Sequence, residues 1–191
     1  FVSLTNFVST ISMPPIGLAY IAAAVRENGH DVSVVDGPGS APRNYYIFKD
    51  VVRVRGLTQQ EIIKRIPPDT QVIALGCMFT SHWVYVRELI RKIHEVFPKA
   101  FLVMGGEHAT GFPEFSLEES PLDCVVMGEG EETITELLNH IDQGQPFSSL
   151  SGIAYRDSNA SIKVNPRRLR LKAIDDIAKP AWDLFDIETY N

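Results

Sequence analysis

The chain has 191 residues, 45% hydrophobic and 22% charged, with a formal net charge of −6 at pH 7. This composition excludes a disordered chain and suits one domain of ordinary size plus an appendage. The acidic balance argues against a nucleic-acid partner, whose phosphates call for a basic face, and no apolar run approaches the ~20 residues of a membrane-spanning helix.

Along the chain, strand and helix signals alternate. Phe1 to Leu4 reads as the end of a first strand. After the Pro14-Pro15 turn, Leu18, Ile21, Ala22 and Val25 fall on one helical face, and Gly29 stops that helix. Val32, Val34 and Val35 form a short second strand ending at Asp36. Gly37 to Gly56 reads as a long irregular stretch, a length of loop that is usually functional or mobile. Thr58-Gln59-Gln60-Glu61 is a capping box that starts a short helix to about Ile66. Val72 to Gly76 is a third strand, and Ser81 to Phe97 an amphipathic helix with Val86, Leu89, Ile90, Ile93 and Phe97 on one side. Phe101 to Met104 is a fourth strand, Pro113 to Glu119 a short helix and Cys124 to Met127 a fifth strand. Thr133, Ile134, Leu137, Leu138 and Ile141 mark the last helix of this core.

Nearly continuous apolar strands joined by helices imply a parallel sheet covered on both faces. Five such strands fit an α/β, flavodoxin-like three-layer fold with a five-stranded parallel sheet in the order 2-1-3-4-5. The character changes from about Ser151. Gly152 to Tyr155 and Ser161 to Val164 flank a turn and read as a β-hairpin. Ala173 to Asn191 reads as an ordered linker. The expected division is a core domain over 1–147 and a hairpin with linker over 148–191. The first residue is Phe1 rather than Met, and the chain is read as a fragment of a longer protein.

Cys77 and Cys124 border buried strands and are expected to be free, packed thiols, without a His or Cys at metal-ligand spacing. With no signal peptide, the cytoplasm is the default compartment. Arg167, Arg168, Arg170 and Lys172 form one basic cluster, read as a solvated strand or linker.

Ligands of open α/β sheets bind outside the carboxyl ends of the strands. Four loops collect there: Ile11 to Gly17, Cys77 to Trp83, Gly105 to Thr110, and Gly128 to Glu132. Gly105, Gly106, Gly128 and Gly130 allow close backbone approach to a bulky ligand. Thr80, Ser81 and Thr110 offer hydroxyls near helix starts, and Phe79 and Trp83 offer flat apolar surface. Read singly, each has a bland alternative: a tight turn, an N-cap, a core tryptophan. His82 and His108 share this edge and read as hydrogen-bonded structural residues rather than metal ligands. Glu107, Glu129, Glu131 and Glu132 read as first-turn helix charges, with Glu129 the one placed to touch a ligand. No catalytic residue and no metal ligand is assigned.

At these loops the sequence resembles a known family. Met13-Pro14-Pro15-Ile16-Gly17-Leu18-Ala19-Tyr20, Gly105-Gly106-Glu107-His108-Ala109-Thr110 and Gly128-Glu129-Gly130-Glu131 are similar to three loops of the cobalamin-binding domains that precede radical S-adenosylmethionine domains. Gly152-Ile153-Ala154-Tyr155-Arg156 and Pro180-Ala181-Trp182-Asp183-Leu184 resemble that family's segment leading into the radical domain. Among its members, the anaerobic magnesium-protoporphyrin IX monomethyl ester cyclase type is the most similar. The resemblance implies a cobalamin against the sheet edge, lined by Ile16, Gly17, Met78, Phe79, Thr80, Ser81, Gly105, Gly106, Glu107, His108, Thr110, Gly128, Glu129 and Gly130. It also implies a parent enzyme, an oxidative cyclase or methyltransferase, whose 4Fe-4S cluster and S-adenosylmethionine belong to a radical domain outside this chain. Two motifs are absent: the Asp-x-His-x-x-Gly of methionine-synthase-type domains, whose His binds cobalt, and the Cys-x-x-x-Cys-x-x-Cys of the radical domain. The competing readings are a flavodoxin-like docking or regulatory domain without cobalamin, and a nucleotide or flavin domain, for which Ser9 to Gly17 supplies no phosphate-cradling loop.

Overall fold

A computed structural model of the chain describes residues 2–3, 6–7, 13–169 and 177–190. The main sheet is seven-stranded and mixed, because the hairpin that the sequence reading set beside a five-stranded parallel sheet joins that sheet. It comprises β1 (Val2–Ser3), β3 (Val35–Asp36), β6 (Val72–Gly76), β7 (Phe101–Gly105), β8 (Cys124–Val126), β9 (Ile153–Arg156) and β10 (Ile162–Val164). Its spatial order is β10-β9-β8-β7-β6-β1-β3. The pairs β3/β1, β1/β6, β6/β7 and β7/β8 are parallel, so these five strands, ranked along the chain, stand second, first, third, fourth and fifth. The hairpin β9/β10 is antiparallel and adds to the sheet through β8.

The period-2 geometry of the strands explains the two-sided core. Ile73, Leu75, Leu102 and Met104 pack with Val86, Leu89, Ile90 and Ile93 of α4 (Trp83–Val96) and with Ile62 of α3 (Gln59–Arg65). Val103, Cys124 and Val126 face the other way, onto Val25 of α1 (Ile16–Glu27) and Ile134, Leu137 and Leu138 of α7 (Glu131–Gln143). The capping box at α3 is present, with Glu61 N–H donating to Thr58 Oγ1 at 3.3 Å and Thr58 N–H to the Glu61 carboxylate at 2.8 Å. Both cysteines are free and buried, and desolvation pushes the Cys77 thiol up to about 12 and Cys124 further in the same direction.

Two stretches differ from expectation. The segment 37–56 is ordered: a short helical turn, α2 (Gly37–Ser40), precedes a hairpin of β4 (Tyr45–Phe48) and β5 (Val52–Arg55), which joins β2 (Asn6–Phe7) in a second, three-stranded sheet. The basic cluster is not a merely solvated strand. The Arg168 guanidinium bonds Glu132 at 3.2 Å, Glu136 and Thr133, tying the segment after β10 onto α7; Arg170 and Lys172 lie outside the described residues.

Of the expected linker, 177–190 is described. It forms two 3₁₀ turns, Trp182–Leu184 and Ile187–Tyr190, that lie back on the core. Ala181 packs against Ala22 and Ala23 of α1, its N–H bonds Ala19 O at 3.0 Å, and Arg26 pairs bidentately with Asp183 at 2.6 and 3.1 Å. Tyr190 Oη reaches the buried Asp36 carboxylate at 2.7 and 2.8 Å. Among the described residues, no helix is long and apolar enough to cross a membrane.

Candidate functional site: the carboxyl edge of the parallel strands

The strands β6, β7 and β8 end together, and their following loops are bonded to one another. Cys77 N–H donates to Gly105 O at 2.8 Å, and His108 N–H to Cys77 O at 3.1 Å. Gly128 N–H donates to Thr110 Oγ1 at 2.8 Å. The loops after three adjacent strands are thus one unit, and α1 begins at the same edge with Ile16 and Gly17; Ile11 and Ser12 of that loop lie outside the described residues.

This edge presents apolar side chains to solvent. Ile16 is 55% exposed, Met78 54% and Phe79 51%, with Met13, Phe112 and Phe115 comparably open. Single exposed apolar residues are ordinary, whereas a cluster at one end of a sheet marks a binding surface. Behind it runs an aromatic stack. Trp83 is buried, as the core reading of it expects, and its ring lies 4.8 Å from His108 and 6.4 Å from Phe115; His108 in turn lies 5.5 Å from Phe112. Phe79 packs edge-on to His82 at 5.3 Å.

The glycines separate into two kinds. A side chain on Gly106, whose φ is +104°, would meet the Cys77 carbonyl oxygen at 2.6 Å, so internal packing alone requires glycine there. A Cβ on Gly130 would meet Ile21 Cδ1 at 2.8 Å. By contrast, a Cβ on Gly105 would meet nothing closer than the Val126 carbonyl oxygen at 3.9 Å, and one on Gly17 nothing within 4 Å. Gly17 is the second residue of α1, and no described residue comes within 4 Å of a Cβ placed there. Bare backbone at Gly17 and Gly105 fits a bulky group lying against this edge.

The polar residues are mostly arranged as expected, with two corrections. Thr110 sits in the last turn of α5 (Glu107–Gly111), not at a helix start, and accepts from another loop. Neither Thr80 nor Ser81 is an N-cap: Thr80–His82 is a 3₁₀ turn leading into α4, and neither helix has a side-chain cap. Both residues are exposed. Glu107, Glu131 and Glu132 occupy first turns, where the helix dipole favours them, while Glu129 lies exposed in the loop before α7. His82 and His108 are buried, and desolvation lowers the pKa of each below the usual histidine value. Two buried nitrogens, Trp83 Nε1 and His108 Nε2, have no hydrogen-bond partner among the described residues. Phe112 and Phe115 escaped the sequence reading; the only signal was their position just after the Gly-Gly-x-His-x-Thr loop.

Fold and edge together define a doubly wound α/β domain whose loops gather at the carboxyl ends of its parallel strands. The family model for the B12 binding domain matches residues 4–138, and the chain belongs to that family. It is 34% identical over 179 residues to an uncharacterized methyltransferase of Pyrococcus horikoshii, covering 93% of this chain and 35% of that protein. It is 30% identical over 183 residues to an anaerobic magnesium-protoporphyrin IX monomethyl ester cyclase of Rubrivivax gelatinosus, covering 93% and 30%. The chain spans about a third of the length of these relatives. Its fold matches that of the cobalamin-dependent S-adenosylmethionine radical enzyme OxsB, solved with aqua-cobalamin and S-adenosylmethionine bound, with a TM-score of 0.75 at 18% identity over 96% of this chain and 24% of that one.

Proposed function

We propose that this chain is the cobalamin-binding module of a radical S-adenosylmethionine methyltransferase or oxidative cyclase. The observation that carries the reading is the carboxyl edge itself: Ile16, Met78 and Phe79 lie open beside Gly17 and Gly105, two glycines that internal packing does not require. A corrinoid is a large, partly flat ligand with an apolar face and a polar rim. The apolar side chains would lie against its face, and the bare backbone would let it approach the strand ends. Thr80, Ser81 and Thr110 would bond its polar rim, and the Gly128–Gly130 loop would flank it. When bound, cobalamin would supply methyl transfer or assist radical chemistry begun elsewhere in the parent protein; the chain's own part is to bind, orient and exclude water. His82 and His108, both buried, would not ligate the cobalt.

The division into a cofactor module over 1–147 and a hairpin and linker over 148–191 belongs to the same proposal. The hairpin extends the sheet, and 177–190 folds back on α1 and would hand the chain on to a radical domain carrying the 4Fe-4S cluster and S-adenosylmethionine. The cyclase-like role rests on the similarity to the Rubrivivax gelatinosus cyclase, while the Pyrococcus horikoshii relative supports a methyltransferase.

The test is a titration with hydroxocobalamin followed by desalting and absorption spectroscopy. Saturable retention, with a spectrum lacking a protein imidazole on cobalt, is the expected result. Absence of retention both by this chain and by a form extended through a radical domain would favour the docking-domain reading instead.

A further inference from the structure

The segment after β10 returns to the carboxyl edge and is fastened there. Gly152 N–H donates to Pro166 O at 2.7 Å, and Asn165 N–H to Ile153 O at 2.9 Å. Asn165 Nδ2 donates to Phe147 O and Leu150 O, both at 2.7 Å. Arg168 is held by Thr133 at 3.1 Å, by Glu132 at 3.2 Å and by Glu136. Arg167 lies between these anchors and takes part in none of them. It is exposed, and its guanidinium reaches α5, where Nη2 donates to Thr110 O at 3.3 Å. The ion pairs of this segment belong to Arg168, and among the described residues no carboxylate pairs with Arg167.

Thr110 is where this segment meets the loops after β7 and β8. Its Oγ1 accepts from Gly128 N–H at 2.8 Å, and a backbone N–H can only donate, so the direction of that bond is fixed. A hydroxyl has one donor and two acceptor sites. One acceptor site is used by Gly128, and no described residue accepts the Thr110 hydroxyl proton. A guanidinium has five N–H donors and no acceptor, and a single exposed bond engages Arg167. The surface at Thr110 thus offers donors from two side chains and a positive charge that no described carboxylate pairs. That combination suits an oxyanion, whose oxygens a guanidinium fork binds in pairs. Arg167 lies beyond residues 4–138, so the family match does not assign it.

We infer that Arg167 and the Thr110 hydroxyl form a donor pair for an anionic oxygen of the ligand, so that the segment after β10 completes the edge built by the sheet loops. The inference rests on the cobalamin reading above. Outside its ring, cobalamin carries one anionic group, the phosphate diester of its nucleotide loop, and that phosphate is the group assigned to the pair.

The experiment titrates the wild type, Arg167→Met and Arg167→Lys with hydroxocobalamin and with cobinamide, which keeps the corrin amides but lacks the phosphate. Met keeps the stem and removes the charge; Lys keeps the charge without the fork. Arg167→Met should raise the hydroxocobalamin Kd roughly tenfold and Arg167→Lys about threefold. The urea midpoint should stay the same in both, because the side chain makes one exposed bond. The wild-type Kd for hydroxocobalamin should rise with added KCl, and Arg167→Met should lose most of that dependence. The cobinamide Kd should be equal for the wild type and Arg167→Met. An equal loss with cobinamide would place the contact on an amide and overturn the phosphate assignment. A salt dependence kept in full by the Met variant would overturn it as well, whether or not cobinamide binds. An unchanged hydroxocobalamin Kd in Arg167→Met, with the wild type binding, would return Arg167 to a solvated cation and leave the cobalamin reading intact. A fall in the urea midpoint that matches the loss of affinity would make it a structural residue instead. A wild-type chain that binds neither corrinoid would overturn this inference and the cobalamin reading together.

Discussion

The two ends of the β7–β8–β9 region are built on opposite plans. At the amino edge of the parallel strands, polar groups are closed onto the protein. Arg156 donates to the carbonyls of Leu122, Ser120 and Leu117, and Leu102 N–H donates to the Asp123 carboxylate at 2.8 Å. At the carboxyl edge the protein leaves apolar surface in water, two glycines whose Cβ would crowd no described residue, and two buried ring nitrogens without partners among the described residues. Buried polar groups are nearly always satisfied when a region has only to fold. The contrast is the one expected if a bound ligand completes the carboxyl edge, as proposed above.

Substitutions at the two ends sharpen that contrast because stability and affinity should respond separately. Gly105→Val should have the largest effect on binding, raising the hydroxocobalamin Kd about 100-fold, equivalent to about 2.7 kcal/mol. Since its Cβ meets only the Val126 carbonyl oxygen at 3.9 Å, the urea midpoint should barely move; a large loss of stability would show that internal packing explains the glycine after all. Arg156→Met should do the reverse, lowering stability by about 2 kcal/mol through three abandoned carbonyls while Kd stays the same.

Next in size is Tyr190→Phe, expected to cost about 1.5 kcal/mol because it strips a hydroxyl from the buried Asp36 carboxylate. Burial, and then the bond to Asp36, raises the Tyr190 phenol well above the ordinary tyrosine value near 10. The folded chain keeps this proton where the unfolded chain loses it. The contribution is intact below about pH 10 and declines as the pH climbs further. Denaturation between pH 8 and 11 should show that decline in the wild type and lose the Tyr190 share of it in the Phe variant. The smallest effect is Gly17→Ala, expected to raise stability by about 0.5–1 kcal/mol, since a Cβ there meets nothing within 4 Å. A loss of stability would mean that the helix start needs glycine for its own sake.

How much of this was legible depends on the range of the interaction. Local signals carried well: the Thr58/Glu61 capping box and the strand Val72–Gly76 lie where their residues predict. The hairpin of β4 and β5 stayed hidden because its turn uses Lys49 and Asp50, both at positive φ, where Asn-Gly would have announced it. The loops of the site could be assigned to one edge from their place after strands. Their cross-links could not, because Thr110 and Gly128 are 18 residues apart and Thr80 and His108 are 28 apart. The fold-back of 177–190 onto α1 rests on pairs such as Arg26 with Asp183, 157 residues apart, which no local pattern encodes. Phe112 and Phe115 look by type like core residues; only the fold shows that they are half exposed.

The most direct test of the central claim is a hydrogen–deuterium exchange footprint of hydroxocobalamin on the chain. The account predicts slowed exchange in the loops over 13–18, 77–83, 105–112 and 127–131, with 153–164 unchanged. Saturating ligand that slows exchange elsewhere, or nowhere, would contradict the assignment of the carboxyl edge as the cofactor site.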